Sequence, residues 1–352
     1  MHEKQQFHFS GTGNEYFRIW IVNVFFSIVT LGIYSAWAKV RRNQYFYRHT
    51  LLAGSSFDYH GDPKVILKGR VFAVVIFAGY SALQKFNPTV AGLFFLLIIL
   101  IMPWLLVRSF RFRLYNSSYR GIRMGFHGRT GAAYINWLLY PALSLFTLGA
   151  LMPLVQKLNT GYIRNNASYG NTFFTFTGKA GGFFRIWLGL FLYLIALFLA
   201  AGIVLGVLTS TAALPQINLK DSNALSSFLL HHGYILPMLF LFALSAYLFF
   251  KTYIFVSLQN LIWNNTHLAE LGFSSTLKIR EMFFITLTNL VLIVVTLGLY
   301  KPFADIRLAR YRIERLNLLA ATDIERFMQG AQVSATAVGE EVSDIFDMDI
   351  AF

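Results

Sequence analysis

Cysteine is absent from all 352 residues, which excludes disulfides, thiolate nucleophiles and cysteine-ligated metal sites. Acidic residues are scarce too, with 16 Asp and Glu against 30 Lys and Arg. None of them falls in the middle of a long apolar run, which argues against a carboxylate proton relay inside a membrane. The 8 histidines lack metal-ligand spacing, and the adjacent His231 and His232 read as interfacial side chains at the entrance to an apolar run. A phosphate-cradling glycine loop, a nucleophile motif and paired carboxylates are all missing. These absences disfavour an enzyme, and neither a cofactor nor a metal is expected.

What is present is apolar surface. With 56% hydrophobic, 17% aromatic and 13% charged residues, the chain carries more apolar side chains than a soluble core of its size can bury. A bilayer is the natural solvent. The net charge of +14 clusters beside apolar runs, a pattern that suits anionic headgroups at a basic inner face rather than nucleic acid.

A helix crosses a bilayer with about 20 predominantly apolar residues. Seven runs qualify: Phe17 to Trp37, Val65 to Leu83, Thr89 to Val107, Ala132 to Val155, Phe183 to Leu208, Tyr234 to Leu258 and Met282 to Phe303. The second is the weakest, because Lys68 and Arg70 leave a clean core only from Val71 onward. Residues 1–16 are polar and show no cleavable signal pattern. Placing the amino terminus outside and the carboxy terminus inside puts most basic residues in the cytoplasm, among them Lys39, Arg41, Arg42, Lys64, Arg111, Arg113, Arg123 and Arg307 to Arg315.

The chain repeats itself. Thr30-Leu31-Gly32, Thr147-Leu148-Gly149 and Thr296-Leu297-Gly298 occupy equivalent places in three apolar runs. A shift of 117 positions also aligns Trp20 with Trp137, Tyr45 with Tyr162, Phe57 with Phe174 and Gly61 with Gly178. A unit of three spans would make the second copy inverted. Lys39, Arg41 and Arg42 align with Gln156, Leu158 and Asn159, so the cations vanish where an outer location predicts. The expected fold is therefore an all-α integral membrane protein, a seven-helix bundle with inverted three-helix repeats and short β-hairpins at the interfaces. Residues 1–117 form the first repeat, 118–266 the inverted second, 267–318 a partial third and 319–352 a cytoplasmic acidic tail.

The hairpins come from a second pattern. Phe7-His8-Phe9-Ser10-Gly11, Phe57-Asp58-Tyr59-His60-Gly61, Met124-Gly125-Phe126-His127-Gly128 and Phe174-Thr175-Phe176-Thr177-Gly178 alternate large apolar with smaller residues and end in glycine. Leu271-Gly272-Phe273-Ser274-Ser275 reads as a worn fifth copy. Period-two alternation predicts short strands, and an irregular interfacial loop is the competing reading. On the expected topology, boxes two and three share the inner face and the others the outer.

The run from Phe7 through Tyr16-Phe17, Asn23, Thr30 to Tyr34 and Trp37-Ala38, with Trp263-Asn264-Asn265-Thr266 and the closing Asn289 to Arg310, resembles the YjgN-like family. The resemblance spans residues 5–330. It implies a bacterial multi-pass inner-membrane protein whose domain has no assigned activity, and it brings no catalytic residues.

Candidate positions follow from helix breaks and intramembrane polar groups. Thr30, Gly32, Thr147, Gly149, Thr296 and Gly298 mark the breaks, with Pro153 and Pro302 four residues after two of the glycines. Close helix packing, or a chain bending into the interface, is the favoured alternative reading of the same breaks. Asn23 and Asn289 stand seven residues before a repeated threonine, and Lys251 sits among aromatics in the sixth run. Such groups bind ligands, join helices or snorkel. The expectation is a transporter-like or channel-like body for a small solute or lipid, with a non-transporting membrane scaffold as the rival. A homo-oligomer or a membrane-protein partner is compatible with both.

Overall fold

The structure, a computed structural model, describes residues 3–210 and 235–320. Of the expected acidic tail 319–352, residues 319 and 320 end the last strand, while 321–352, the His231-His232 pair, Lys220 and Arg326 lie outside the described residues.

Eleven short strands form one antiparallel sheet in the order β1-β11-β10-β9-β8-β7-β6-β5-β4-β3-β2. They are β1 (Glu3–Gln6), β2 (His8–Phe9), β3 (Thr50–Leu52), β4 (Ser55–Tyr59), β5 (Ser117–Tyr119), β6 (Ile122–Phe126), β7 (Ala167–Tyr169), β8 (Thr172–Phe176), β9 (Thr266–Leu268), β10 (Leu271–Ser275) and β11 (Leu316–Ala320). The two ends of that order, β1 and β2, are joined through the single residue Phe7, whose N–H donates to the Leu316 carbonyl at 3.2 Å. The sheet thus closes into a ring.

Helices leave the ring in pairs and return to it. The first pair is α1 (Gly13–Val29) and α2 (Ser35–Arg48), and the second is α3 (Pro63–Phe86) and α4 (Pro88–Tyr115). In the third, α5 (Thr130–Tyr134), a π-helical turn (Ile135–Leu139) and α6 (Tyr140–Leu145) make the outgoing leg, and α7 (Met152–Asn165) the return. The fourth pair is α8 (Ala180–Ser210) and α9 (Ile235–Trp263), and the fifth is α10 (Ile279–Val295) and α11 (Lys301–Glu314). Each pair lies between two strands that pair with each other, so the chain is five strand–helix–helix–strand units set around a ring.

Backbone hydrogen bonds repeat at all five units. Ser10, His60, His127, Thr177 and Thr276 donate their N–H groups to the carbonyls of His49, Asn116, Asn166, Asn265 and Arg315, at 2.8 to 3.0 Å. In the three short pairs a tyrosine of the return helix also bonds the backbone where the outgoing helix starts. Tyr45 donates to the Thr12 carbonyl at 3.0 Å, Tyr162 to Arg129 at 2.9 Å and Tyr311 to Lys278 at 3.3 Å. Burial pushes the Tyr45 hydroxyl up to about 12, so it keeps its proton throughout the physiological range.

This architecture corrects the expected all-α seven-helix bundle. Among the described residues, four helices are long and apolar enough to cross a membrane: Pro63–Phe86, Pro88–Tyr115, Ala180–Ile203 and Pro237–Trp263. Three of the seven expected spans, Phe17 to Trp37, Ala132 to Val155 and Met282 to Phe303, are each folded in half at Thr-Leu-Gly. An even number of helices separates successive hairpins, so the inverted three-helix repeat fails. The 117-residue shift survives as a parallel repeat of one short and one long unit, followed by a lone short unit. Glu3 pairs with Ala320, so these two positions lie side by side in the ring. The five boxes are strands of one ring rather than caps on two faces.

The fifth box also shifts. Register with β4, β6 and β8 aligns Phe273, not Leu271, with Phe57, Met124 and Phe174, and Leu277 with the glycines. A Cβ on Gly11 or Gly61 would stand 2.7 Å from the Phe9 ring or 2.5 Å from the Tyr59 hydroxyl. In the fifth unit Ser275 replaces the aromatic ring, and the space takes the Leu277 side chain, which is 5% exposed.

Candidate functional site

The Thr-Leu-Gly turns explain themselves residue by residue. Thr30 Oγ1 donates to the Phe26 carbonyl at 2.6 Å and accepts the Tyr34 N–H at 2.9 Å, while the Gly32 N–H reaches the Ser27 carbonyl at 2.7 Å. Thr296 and Gly298 repeat this with Leu292, Tyr300 and Ile293, and Thr147 and Gly149 do so through Ser144 and Leu151. Gly32 takes φ +92° and Gly298 φ +94°, a region that glycine tolerates and other residues avoid. The intervening Leu31, Leu148 and Leu297 are 95%, 99% and 94% exposed. A reversal that satisfies its own backbone and presents leucine outward is compatible with hydrocarbon. Pro153 and Pro302 sit in the first turns of α7 and α11, where the missing N–H costs nothing.

These six candidate positions therefore lie at the tips of three separate hairpins. Open space surrounds the glycines: a Cβ on Gly32 or Gly298 would have no neighbour within 4 Å. Asn289 joins helices, donating from Nδ2 to the Ala304 carbonyl at 3.3 Å and accepting from Arg307 at 3.4 Å. Its counterpart Asn23 is 7% exposed, and among the described residues its Oδ1 has no partner. Lys251 is exposed on α9 and lines neither of the cavities below.

One cavity lies at the centre of the ring. Phe7, Phe57, Met124, Phe174 and Phe273 project there from equivalent positions, between Leu52, Tyr119, Tyr169, Leu268 and Leu318. The space is about 120 Å³, and every side chain around it is apolar or aromatic. An apolar cavity of that order stays dry. The Tyr169 hydroxyl donates to the Tyr119 carbonyl at 3.1 Å and Tyr119 to Leu52 at 2.6 Å, which turns both polar ends back into the strands. Arg164 stacks on Trp263 at the cavity margin, 4.3 Å from the ring centroid. Burial, helped by the charge of Arg113, pushes its guanidinium down to about 10, still protonated at neutral pH.

The second cavity, about 550 Å³, lies between α1, α2, α3 and α11. Lys39, Arg42, Arg70 and Lys301 line it with the single carboxylate Asp305, and Trp20, Val24 and Ile28 supply an apolar wall. Lys301 forms an ion pair with Asp305, which Arg42 approaches at 3.7 Å. Arg70 donates to Ser35 Oγ. The unpartnered Asn23 is part of the same lining. Of the sequence-predicted candidates, this cavity brings in Asn23 alone.

In the sequence, Lys39 and Arg42 read as orientation signals and Arg70 as an interruption of the second apolar run. Their signal was spacing: Ser35, Lys39 and Arg42 recur at intervals of four and three on one face of α2, and the Thr-Leu-Gly register maps Ser35 onto Lys301 and Lys39 onto Asp305.

No solved structure matches the chain. The inner membrane protein YjgN of Salmonella typhimurium strain LT2 is 26% identical over 341 residues, covering 86% of this chain and 85% of that protein. YjgN of Escherichia coli K12 is 28% identical over 154 residues, 43% of this chain and 38% of that one. Four helices of membrane-crossing length, together with relatives named as inner membrane proteins, support a bacterial inner-membrane location. The family model for bacterial proteins of unknown function (DUF898) matches residues 4–345, and the chain belongs to that family.

Proposed function

We propose that the protein is a transporter-like body that handles lipids, with its strand ring on the cytoplasmic side of the inner membrane. The observation that carries this reading is the uneven height of the wall around the ring. Helices of 17 and 14 residues in the first unit rise about 26 and 21 Å, less than the roughly 30 Å of hydrocarbon. Helices of 24 and 28 residues in the second rise about 36 and 42 Å. Units one and five, both short, are neighbours through α1 and α11, so the wall is low over two adjacent units. The cationic cavity opens at that low wall. A lipid resting above the short hairpins would have its headgroup within reach of charge and its chains among exposed leucines.

Orientation follows from charge. The pairing of strands gathers Lys4, Arg48, Arg120, Arg123, Arg129, Lys179, Lys278 and Arg315 at or beside the ring. Lys85, beside the turn between α3 and α4, is the one described cation at the far ends of the long helices. Such asymmetry favours a cytoplasmic ring. The lack of cysteine allows a direct check. In intact cells a membrane-impermeant maleimide should label Lys85→Cys and spare Asn171→Cys and Glu270→Cys; labelling of Asn171→Cys from outside would revive an upside-down second half.

Lipid handling is tested with proteoliposomes that carry a fluorescent phospholipid and an impermeant quencher. Faster loss of inner-leaflet fluorescence than in empty liposomes is expected. Equal rates would leave the scaffold reading, in which the ring and its apolar centre serve only as a rigid platform.

A further inference from the structure

We propose that the cavity between α1, α2, α3 and α11 seats the phosphate of an anionic phospholipid, with Lys39 and Arg70 as its principal cations and Asn23 as the group that meets the rest of the head. The inference deepens the lipid-handling reading and rests on it for the choice of ligand.

Charge inside the cavity is not balanced from within. Asp305 is occupied by Lys301 and Arg42, and among the described residues no carboxylate pairs with Lys39 or Arg70. Burial, then the charges of Arg70 and Arg113, holds the Lys39 ammonium below the usual lysine range. Cations at the level of membrane helices are costly unless something of opposite sign joins them. A phosphate does so, and its oxygens accept from ammonium and guanidinium together.

Asn23 adds an independent pointer. Its amide is 7% exposed, lines the cavity and leaves Oδ1 without a partner, whereas the equivalent Asn289 is satisfied by Ala304 and Arg307. The residue equivalent to Arg307 is Arg41, whose guanidinium lies over the Tyr34 ring, 5.7 Å from its centroid. An amide freed in this way accepts a headgroup hydroxyl or, turned over, donates to a phosphate oxygen. Trp20, Val24 and Ile28 line the same space and suit the glycerol backbone and the first chain carbons. The volume of about 550 Å³ falls within the roughly 300–1,000 Å³ of ligand pockets.

Among the three short units, all described, the arrangement occurs once. In the third unit, Ser35, Lys39 and Arg42 are replaced by Met152, Gln156 and Asn159, and Gln156 accepts from the Trp187 indole at 2.8 Å instead of facing a ligand. In the fifth, the positions hold Lys301, Asp305 and Leu308. Similar backbones with different side chains mark this cavity as specialised rather than as a by-product of hairpin packing.

The test is binding to the full-length protein in detergent, read by native mass spectrometry and by thermal shift, with phosphatidylglycerol, phosphatidylcholine and inorganic phosphate as separate probes. Phosphatidylglycerol should bind and stabilise, with phosphatidylcholine weaker by about tenfold or more and inorganic phosphate without effect. Lys39→Gln and Arg70→Gln should each weaken phosphatidylglycerol by about tenfold, while Lys39→Arg retains it and Lys85→Gln is unchanged. Equal binding of the two lipids, equal stabilisation by inorganic phosphate, or unaltered affinity in both glutamine variants would overturn the proposal. Should either glutamine variant fail to fold, Asn23→Leu in the same assay serves as the second reading. Selective binding without lipid movement in proteoliposomes would defeat the transport reading and leave the site standing; movement without headgroup selectivity would do the reverse.

Discussion

Deleting residues 1–9 is expected to abolish the folded protein rather than trim a disordered end. Those residues supply β1 and β2, which join β11 to β3 and close the ring. Their loss exposes two strand edges at once, and unpaired edges template aggregation. It also removes Phe7 from the ring centre and Phe9, 1% exposed, from beneath the ring. Truncating one buried phenylalanine costs about 3–5 kcal/mol, so the pair together rivals the whole stability of an ordinary domain, about 5–15 kcal/mol. The truncated chain should elute as aggregate in detergent and show no cooperative melt. A circular permutant that links residue 320 to residue 3 and opens the chain at Asn87 should fold, because the ring keeps every strand pair. A sharp, unshifted melting transition in the deletion would refute ring closure as the organising contact.

Gly178→Leu should be nearly as damaging, and its rescue is the more informative half of the experiment. A Cβ at Gly178 overlaps the Phe176 ring, which stacks edge-on against the fully buried Phe183. Phe183 blocks one side of the half-buried Phe176 ring, so the ring must move toward the surface and overpacking should cost up to about 3 kcal/mol. The fifth unit shows the alternative solution, Ser275 with Leu277. The double variant Phe176→Ser, Gly178→Leu copies it and should recover at least half of the lost thermal stability. Failure of the double variant to improve on Gly178→Leu alone would mean that the two units are not equivalent in this corner.

The internal repeat and the period-two boxes were legible because both rest on residue identity at fixed spacing. Hydropathy misled where it met Thr-Leu-Gly. In Phe17 to Trp37 the reversal takes the five residues 30–34, satisfies its backbone through Thr30 and Gly32, and exposes Leu31, so no charged residue marks the turn. A hairpin and a span then have the same profile. The charge argument misled for a different reason. Cations absent at Gln156 and Asn159 read as residues moved to the outer face, whereas both sit on α7, a return helix of the same kind as α2, where Gln156 accepts from the Trp187 indole. The candidate site was nearly invisible for a related cause: Lys39, Arg70 and Lys301 belong to three helices, and no local pattern announces that the ring brings them together. The local signals were Asn23, an amide in an apolar stretch, and the spacing of Ser35, Lys39 and Arg42 on one face of α2.

Ring closure also sets an order of events during synthesis. β2 can meet β3 as soon as residue 52 has been made, but β1 must wait for residues 317–320, the last strand to leave the ribosome among those described. Until then the growing chain holds four junctions of five and keeps two strand edges open, at β10 and at the β1–β2 end. Completion of the sheet is therefore tied to synthesis of β11, and a chain stalled before that strand keeps the unpaired edges that template aggregation.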